Sequence, residues 1–392
     1  MQCTRFAPFE EKVMKPLFRY LSALCLALSG FAPALAERGV TADTVLVGQT
    51  GVFSGPIAEP ALQYRVGMQL YFDEVNARGG VHGRKIKLQS YDDQFNPKIA
   101  AENTKKLIEE DKVFAMVGYI GTGAIVASLP QISESRVPII GALSGEEGLR
   151  DPKVKMIFHT RGSYGAETDK MVEQLNSTGV KNIAVVYQDD AFGKAGLKAA
   201  QAAFARRNLK PTIEAPIDMN KLDNLDALVA SIAKTQPGGI IMVTAGKAST
   251  AFIRAYLKSG PRPWFFGVSV LSAKALFAAL GEDARGIVIA QVVPSPTSGR
   301  FAISREFMAA AQKAKSSDTT YNSLEGYISA KVFVEALRRA GRDLTRERLV
   351  AALESLNNYD LGGFVIDYSG GRRIGSTFVD LSIISKGGQF MH

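Results

Sequence analysis

The tripeptide Gly121-Thr122-Gly123 opens directly into a helix-forming run, residues 124–133. Amides at a helix N-terminus have no partner within the helix, and the helix dipole favours negative charge there. Glycine also lets a ligand approach the backbone closely. Thr122 and, one strand later, Ser144 each supply a hydroxyl. The turns holding Tyr119, Gly121, Thr122 and Gly123 and then Leu143, Ser144 and Gly145 therefore suit a carboxylate. Phe53 and Ser54 lie in a comparable turn, 50–55. Tyr164, Phe192 and Lys247 offer complementary chemistry from farther along the chain: aromatic cover for an apolar or planar body, and a positive charge for an anion. The blander alternatives are N-capping by Thr122, a core role for Phe192 and a solvated loop position for Lys247.

Signatures of catalysis are thin. Gly118, Gly121 and Gly123 read G-x-x-G-x-G, not the dinucleotide fingerprint G-x-G-x-x-G, and no acid ends the next strand to hold a ribose. There is no G-x-S-x-G elbow and no phosphate loop. His82, His159 and His392 are far apart and lack metal-ligand spacing. Asp92-Asp93 and Asp189-Asp190 are adjacent pairs whose side chains diverge, so they suit loop capping better than a carboxylate dyad. No enzyme activity, cofactor or metal is expected.

These residues must be positioned by alternating strands and helices. Strands are expected over 44–49, 85–91, 113–118 and 137–142, with helices over 65–77, 99–110 and 124–133. The pattern restarts with strands over 181–187, 239–244 and 264–268 and helices over 194–206, 222–234 and 249–259. The central strands are almost wholly apolar, as parallel strands covered on both faces are. Val117 and Gly141 are 24 residues apart, and so are Val243 and Gly267. Val45 to Gly55 and Ile183 to Gly193 both place a strand ten residues before a glycine turn. One supersecondary plan used twice predicts an α/β protein with two doubly wound parallel-sheet lobes. Repetition of βα units in a single larger sheet is the competing explanation.

After Pro294, Pro296 and Gly299 the pattern changes to helices over 304–315, 320–340 and 345–355. Short strands follow over 363–367 and 377–385, joined at Gly370-Gly371. The tail has no third repeat and must pack on the existing lobes, so the chain crosses between them more than once. Ligands bind at the carboxyl ends of strands in open parallel sheets. Facing lobes would bring the glycine- and hydroxyl-bearing turns to one cleft.

The chain has 392 residues, 46% hydrophobic and 22% charged, a globular composition with enough length for two cores. Residues 1–36 read as a secretory signal. Lys15 and Arg19 flank an apolar run over 21–31, too short for a bilayer span, and Ala34-Leu35-Ala36 suits cleavage after Ala36. Counting from Met14 gives this leader an ordinary length. A buried N-terminal helix and lipidation at Cys25 are weaker alternatives. Both cysteines, Cys3 and Cys25, fall in the leader, which excludes disulfides and cysteine catalysis from the rest. The leader's four basic and two acidic residues leave the remainder near +7 of the formal +9. Basic pairs such as Arg206-Arg207 are isolated and lack interleaved aromatics, which argues against nucleic acid as a partner.

Four stretches carry a family likeness: Gly51-Val52-Phe53-Ser54-Gly55-Pro56; Val75-Asn76-Ala77-Arg78-Gly79-Gly80-Val81 with Gly83; Tyr91-Asp92-Asp93 followed by Pro97; and Val186-Tyr187-Gln188-Asp189-Asp190-Ala191-Phe192-Gly193. Through them the chain resembles the branched-chain amino-acid-type solute-binding proteins of ABC transporters, which have the type I periplasmic binding fold. The resemblance implies two lobes joined by three crossovers, near Thr160, Val293 and Gly362. One lobe would then comprise 37–159 with 294–362, and the other 160–293 with 363–392. It implies a ligand carboxylate at Thr122 and Ser144 under aromatic cover from Phe192. It also implies a periplasmic protein whose partners are a small ligand and ABC permease subunits, touching the membrane only through the permease. Amino-acid-binding members pair the ligand's ammonium with an acid after a second-lobe strand. In Phe266-Gly267-Val268-Ser269 that position is Ser269, with Lys247 nearby. An amine-free acid therefore fits at least as well as an amino acid, and the family includes members for amides. A sensor feeding a receptor or regulator is the alternative use of such lobes.

Overall fold

Strands form where apolar, often β-branched residues run together without a helical stripe. Val45 and Val47 are buried in β1 (Thr44–Gly51), and every residue of β3 (Ala115–Val117) and β4 (Ile139–Ile140) is buried in the computed structural model of the chain. With β2 (Lys85–Asp92) and β5 (Ile157–Phe158) they make a parallel sheet in the order β2-β1-β3-β4-β5. Helices α1 (Glu59–Ala77), α2 (Pro97–Glu109) and α3 (Thr122–Ser135) connect its strands. The structure describes residues 37–388, 390 and 391, with 1, 2 and 4. The expected leader, its cysteines and the cut after Ala36 lie outside the described residues, apart from those at 1, 2 and 4, and so does His392.

The plan then repeats. Helix α4 (Tyr164–Ser177) leads into β6 (Ile183–Gln188), α5 (Ala191–Ala205), β7 (Glu214–Ile217), α6 (Asp226–Ala233), β8 (Gly239–Val243), α7 (Gly246–Leu257), β9 (Trp264–Gly267), α8 (Ala273–Leu280) and β10 (Val288–Gln291). Strands β6 to β10 pair in parallel. The tail adds α9 (Ala302–Lys313), α10 (Tyr321–Ala340), α11 (Arg346–Glu354), β11 (Tyr359–Asp360), β12 (Val365–Ile366), β13 (Asp380–Ile384) and β14 (Phe390–Met391). Strands β13 and β14 extend the second sheet with an antiparallel edge, giving the order β14-β13-β10-β9-β8-β6-β7. The sequence reading did not name β5, α4, β7, α8, β10, β11 or β14.

Gly370-Gly371 lies between β12 and β13, as expected, and the two strands enter different sheets: β12 pairs with β11, and β13 pairs with β10. One expectation about the tail is corrected. The chain leaves the first lobe later than Gly362. Gly362 and Gly363 both have positive φ and turn the β11–β12 hairpin, whose Leu361, Phe364 and Ile366 join the first lobe's core together with Tyr368. Residues 369–379 make the crossing instead.

In the first lobe α1 lies against α10, with Tyr64, Met68 and Phe72 in one core with Leu324, Tyr327 and Ile328. A Cβ at Gly326 would overlap the Tyr64 carbonyl, and one at Gly67 would overlap the Ser323 carbonyl, so the helices meet backbone to backbone.

The crossovers meet at a buried polar hinge. His159 donates its N–H to the Arg373 carbonyl at 2.8 Å, and the Gly375 N–H donates to the His159 carbonyl at 2.8 Å, which ties the first crossover to the third. Thr160 and Ser329 of α10 share a hydroxyl–hydroxyl bond of 2.8 Å. Arg161, fully buried, donates to Glu167 of α4 at 2.9 Å and to the Ser269 hydroxyl, and its Nη1 lies 3.4 Å from Glu325 of α10. Burial, reinforced by Glu167 and opposed by Arg161 and Arg150, pushes Glu325 up to about 7.

Two measurements check this account. Gly326→Ala should gain about 1 kcal/mol of helix propensity but lose about 1–3 kcal/mol or more to overpacking, so its urea midpoint should fall; an unchanged or higher midpoint would show that the helices can separate freely. Glu325 holds its proton in the folded state over a range, from about its ordinary 4.5 up to about 7, in which the unfolded chain has released it. Its contribution is therefore complete below the lower value and lost as pH rises through the upper one. Glu325→Gln should flatten the wild type's decline in Tm between pH 5 and 7.5 by roughly 5 °C; parallel curves would mean that Glu325 does not titrate in this range.

Candidate ligand-binding cleft

Strand order reverses between β1 and β3 in the first sheet and between β6 and β8 in the second. Connections leave in opposite directions at such points, so a crevice opens at the strands' carboxyl ends. Here the two crevices face each other. The turns after β1, β2, β3 and β4 contribute Val52, Phe95, Ile120 with Gly121 and Thr122, and Leu143. Those after β6, β8 and β9 contribute Phe192, Ala245 and Val270. Tyr164 enters from the head of α4, and Ile57, Pro60 and Ala61 from the start of α1 and the turn before it. The unfilled space is about 480 Å³, part of it continuous with solvent. None of the lining residues is an acid or a base.

The polar end of this pocket is the start of α3. Gly121, at φ 100°, turns the chain into the helix without a side-chain cap, so the first-turn amides face the pocket unoccupied by protein oxygen among the described residues. The Thr122 and Ser144 hydroxyls bond each other at 2.8 Å, and the Glu146 N–H donates to Ser144 at 3.3 Å. The hydroxyl pair uses one of its two protons internally, and the Tyr164 phenol also interacts with the Thr122 hydroxyl. Beside it, Tyr164 packs its ring flat where a Cβ on Gly145 would stand, and stacks edge-on with Phe192 at 5.6 Å.

The expected site residues separate into three groups. Gly121, Thr122, Leu143, Tyr164 and Phe192 line the pocket, with Ser144 and Gly145 directly behind them. Gly123 lies at the rim, where a Cβ would be 3.5 Å from that of Ala191. The others lie elsewhere. Tyr119 turns into the core, its hydroxyl bonded to Thr104 and Ser128 at 2.8 and 2.6 Å. Phe53 lies under the Arg65 guanidinium, 4.2 Å from its ring centroid, and Ser54 is exposed. Lys247 is exposed and borders a separate outer depression with Pro56 and Thr250. Ser269 is buried behind Val270, its N–H donating to Glu167 at 2.7 Å and its hydroxyl at 3.0 Å. A second-lobe acid is therefore present, but Ser269 and Arg161 occupy it.

Phe95 was missed, because the turn after β2 was left out of account. Gln94 and Phe95 both have positive φ, at 53° and 62°, which is uncommon for side chains of this size. The preceding acids hold that backbone. Asp92 accepts the N–H groups of Phe53 and Gln94 at 2.8 and 3.0 Å, and Asp93 accepts that of Phe95 at 2.9 Å. Burial pushes Asp93 up to about 6 although the Phe95 and Thr50 bonds oppose it. An Asp-Asp turn just past a strand was the available signal.

The lobes touch beside the pocket. Gly246 comes so close to the opposite lobe that a Cβ would lie 2.5 Å from the Pro56 carbonyl, and Ser272 donates across to Glu59 at 3.0 Å.

Residues 44–378 match the periplasmic binding protein family. The Leu/Ile/Val-binding protein homolog 7 of Brucella suis biovar 1 is 25% identical over 346 residues, 82% of each chain. The structure of a possible leucine/isoleucine/valine-binding protein from Rhodopirellula baltica SH 1 superposes with a TM-score of 0.84 at 29% identity, covering 90% of this chain and 97% of that one. An extracellular ligand-binding receptor from Verminephrobacter eiseniae ef01-2 gives 0.82 at 29% identity, over 89% and 100%. With two facing lobes, a pocket between them and a match running through both, the chain belongs to the periplasmic binding protein family, as a binding protein and not an enzyme, and is similar to Leu/Ile/Val-binding relatives.

Proposed function

We propose that this protein captures a small, mainly apolar carboxylate between its lobes and delivers it to an ABC permease from the periplasm. The observation that carries the ligand class is the composition of the pocket: aliphatic and aromatic walls, the uncapped start of α3 with Thr122 at one end, and no acid facing the space. An ammonium group would enter without a partner, and an unpaired buried charge is expensive. A carboxylate would meet free amides, a hydroxyl and the helix dipole, the last contributing up to about 2 kcal/mol in a partly buried site. Tyr164 and Phe192 supply the flat apolar cover. The family and the signal-like segment over 1–36 support export and transport. Among the described residues no helix is long and apolar enough to cross a membrane.

Closure would follow from contacts made to both lobes. A ligand touching Thr122 on one side and Phe192 and Val270 on the other stabilises the closed form by its differential affinity.

Calorimetry of the purified protein with benzoate, hexanoate, benzamide, leucine and valine tests the ligand class. The acids should bind in the micromolar range, which requires about 8 kcal/mol, and the amino acids at least tenfold more weakly. Tight leucine or valine binding with no response to the acids would refute the ligand assignment. Thr122→Ala should weaken acid binding about tenfold or more while leaving the Tm of the empty protein nearly unchanged; wild-type affinity would remove Thr122 from the seat.

A further inference from the structure

The geometry points to Arg150 as a determinant of anion selectivity that never touches the ligand: a buried positive charge behind Ser144 whose missing counter-charge is the bound carboxylate. This rests on the carboxylate reading of the pocket.

Arg150 ends a short turn, Glu147–Arg150, just after the Ser144 loop, and is 7% exposed. Its guanidinium is held entirely by backbone oxygen. Nη1 donates to Ser144 at 3.2 Å and Glu146 at 3.0 Å; Nη2 donates to Ser144 at 3.2 Å, Arg161 at 3.3 Å and Gly162 at 3.2 Å. Nε has no partner. No carboxylate of the described residues forms an ion pair with Arg150. The buried acids Glu167 and Glu325 pair directly with its neighbour Arg161, and together with Glu147 they act on Arg150 only without direct contact. His159 adds no compensation: its Nε2 lies 3.1 Å from the Leu149 carbonyl, and burial and Arg150 keep the ring neutral.

A buried charge without a partner is costly in a low-dielectric surrounding. The carbonyls solvate Arg150 but do not neutralise it. Its bonds to Ser144 fix that residue's backbone and leave the hydroxyl directed at Thr122, so the charge lies one residue behind the seat. An anion there would complete the pair. A neutral ligand of the same shape would gain the same packing and hydrogen bonds but not the charge term.

The test is the ratio of Kd for benzamide to Kd for benzoate, measured by calorimetry on wild type, Arg150→Gln and Arg150→Lys. A loss of shape would weaken both ligands together and leave the ratio unchanged. Arg150→Gln should lower the ratio about tenfold or more, mainly through benzoate, as expected for removal of a nearby unit charge. Arg150→Lys keeps the charge but not the forked bonding, so it should hold the ratio within about threefold even if both affinities fall. An unchanged ratio in Arg150→Gln, or a collapsed one in Arg150→Lys, overturns the proposal. If Arg150→Gln does not fold, Arg150→Lys alone decides on the same criterion. A wild type that prefers benzamide, or binds leucine in place of either, would instead signal failure of the carboxylate reading itself.

Discussion

One guanidinium, that of Arg161, references each lobe to the other. It sits on the first crossover without access to water and is shared between Glu325 of the first lobe and Glu167 and Ser269 of the second. A charge buried this way costs several kcal/mol to desolvate, and attraction to its partners recovers that only with good geometry. The arrangement is therefore a weak source of net stability and a strong constraint on position. It sets where α4 begins, and hence where the Tyr164 ring lies. It also sets where the turn after β9 stands, and hence where Val270 meets the pocket.

The same constraint decides the chemistry of the cleft. Glu167 could have served as a second-lobe acid for a ligand's ammonium, but both its oxygens are engaged by Arg161 and Ser269. The pocket is left with walls of hydrocarbon and one polar end, where α3 begins. On the proposed reading, selectivity would rest on backbone amides, two hydroxyls and the sign of the charge buried behind them, none of which can swing away as a flexible side chain can.

Contact between the lobes is close but sparing. At one rim Gly246 lies against Pro56 backbone to backbone, and Ser272 reaches Glu59 through one hydrogen bond; at the other Gly123 lies opposite Ala191. On the proposed closure, an open form would give up these contacts, and the crossovers, bonded through Thr160, His159 and Tyr368, would serve as its pivot. A ligand bridging both lobes can shift such a balance with modest binding energy.

The doubled strand–helix plan was legible in the chain itself. Apolar runs such as those ending at Val117 and Val243, with equal spacing to the next strand, require two sheets of like winding, because period and burial are local properties. So was the helix start at Gly121 and Thr122, which lines the pocket, since a glycine before an uncapped helix start is a local signal too. Placement of long-range partners was not legible. Tyr119 and Thr122 are three residues apart, yet one side chain enters the core and the other the cleft, and only the packing of α2 against α3 settles which. Ser269 looked like a vacancy for an acid, but Glu167 approaches it from 102 residues away in the chain. The charge balance around Arg150 and Arg161 likewise depends on α10, met only after the chain has returned to the first lobe. Sequence determined the architecture and the polar end of the pocket, whose causes lie within a few residues; the tertiary structure decided which charges remain free, because electrostatic partners are chosen by distance in space and not along the chain.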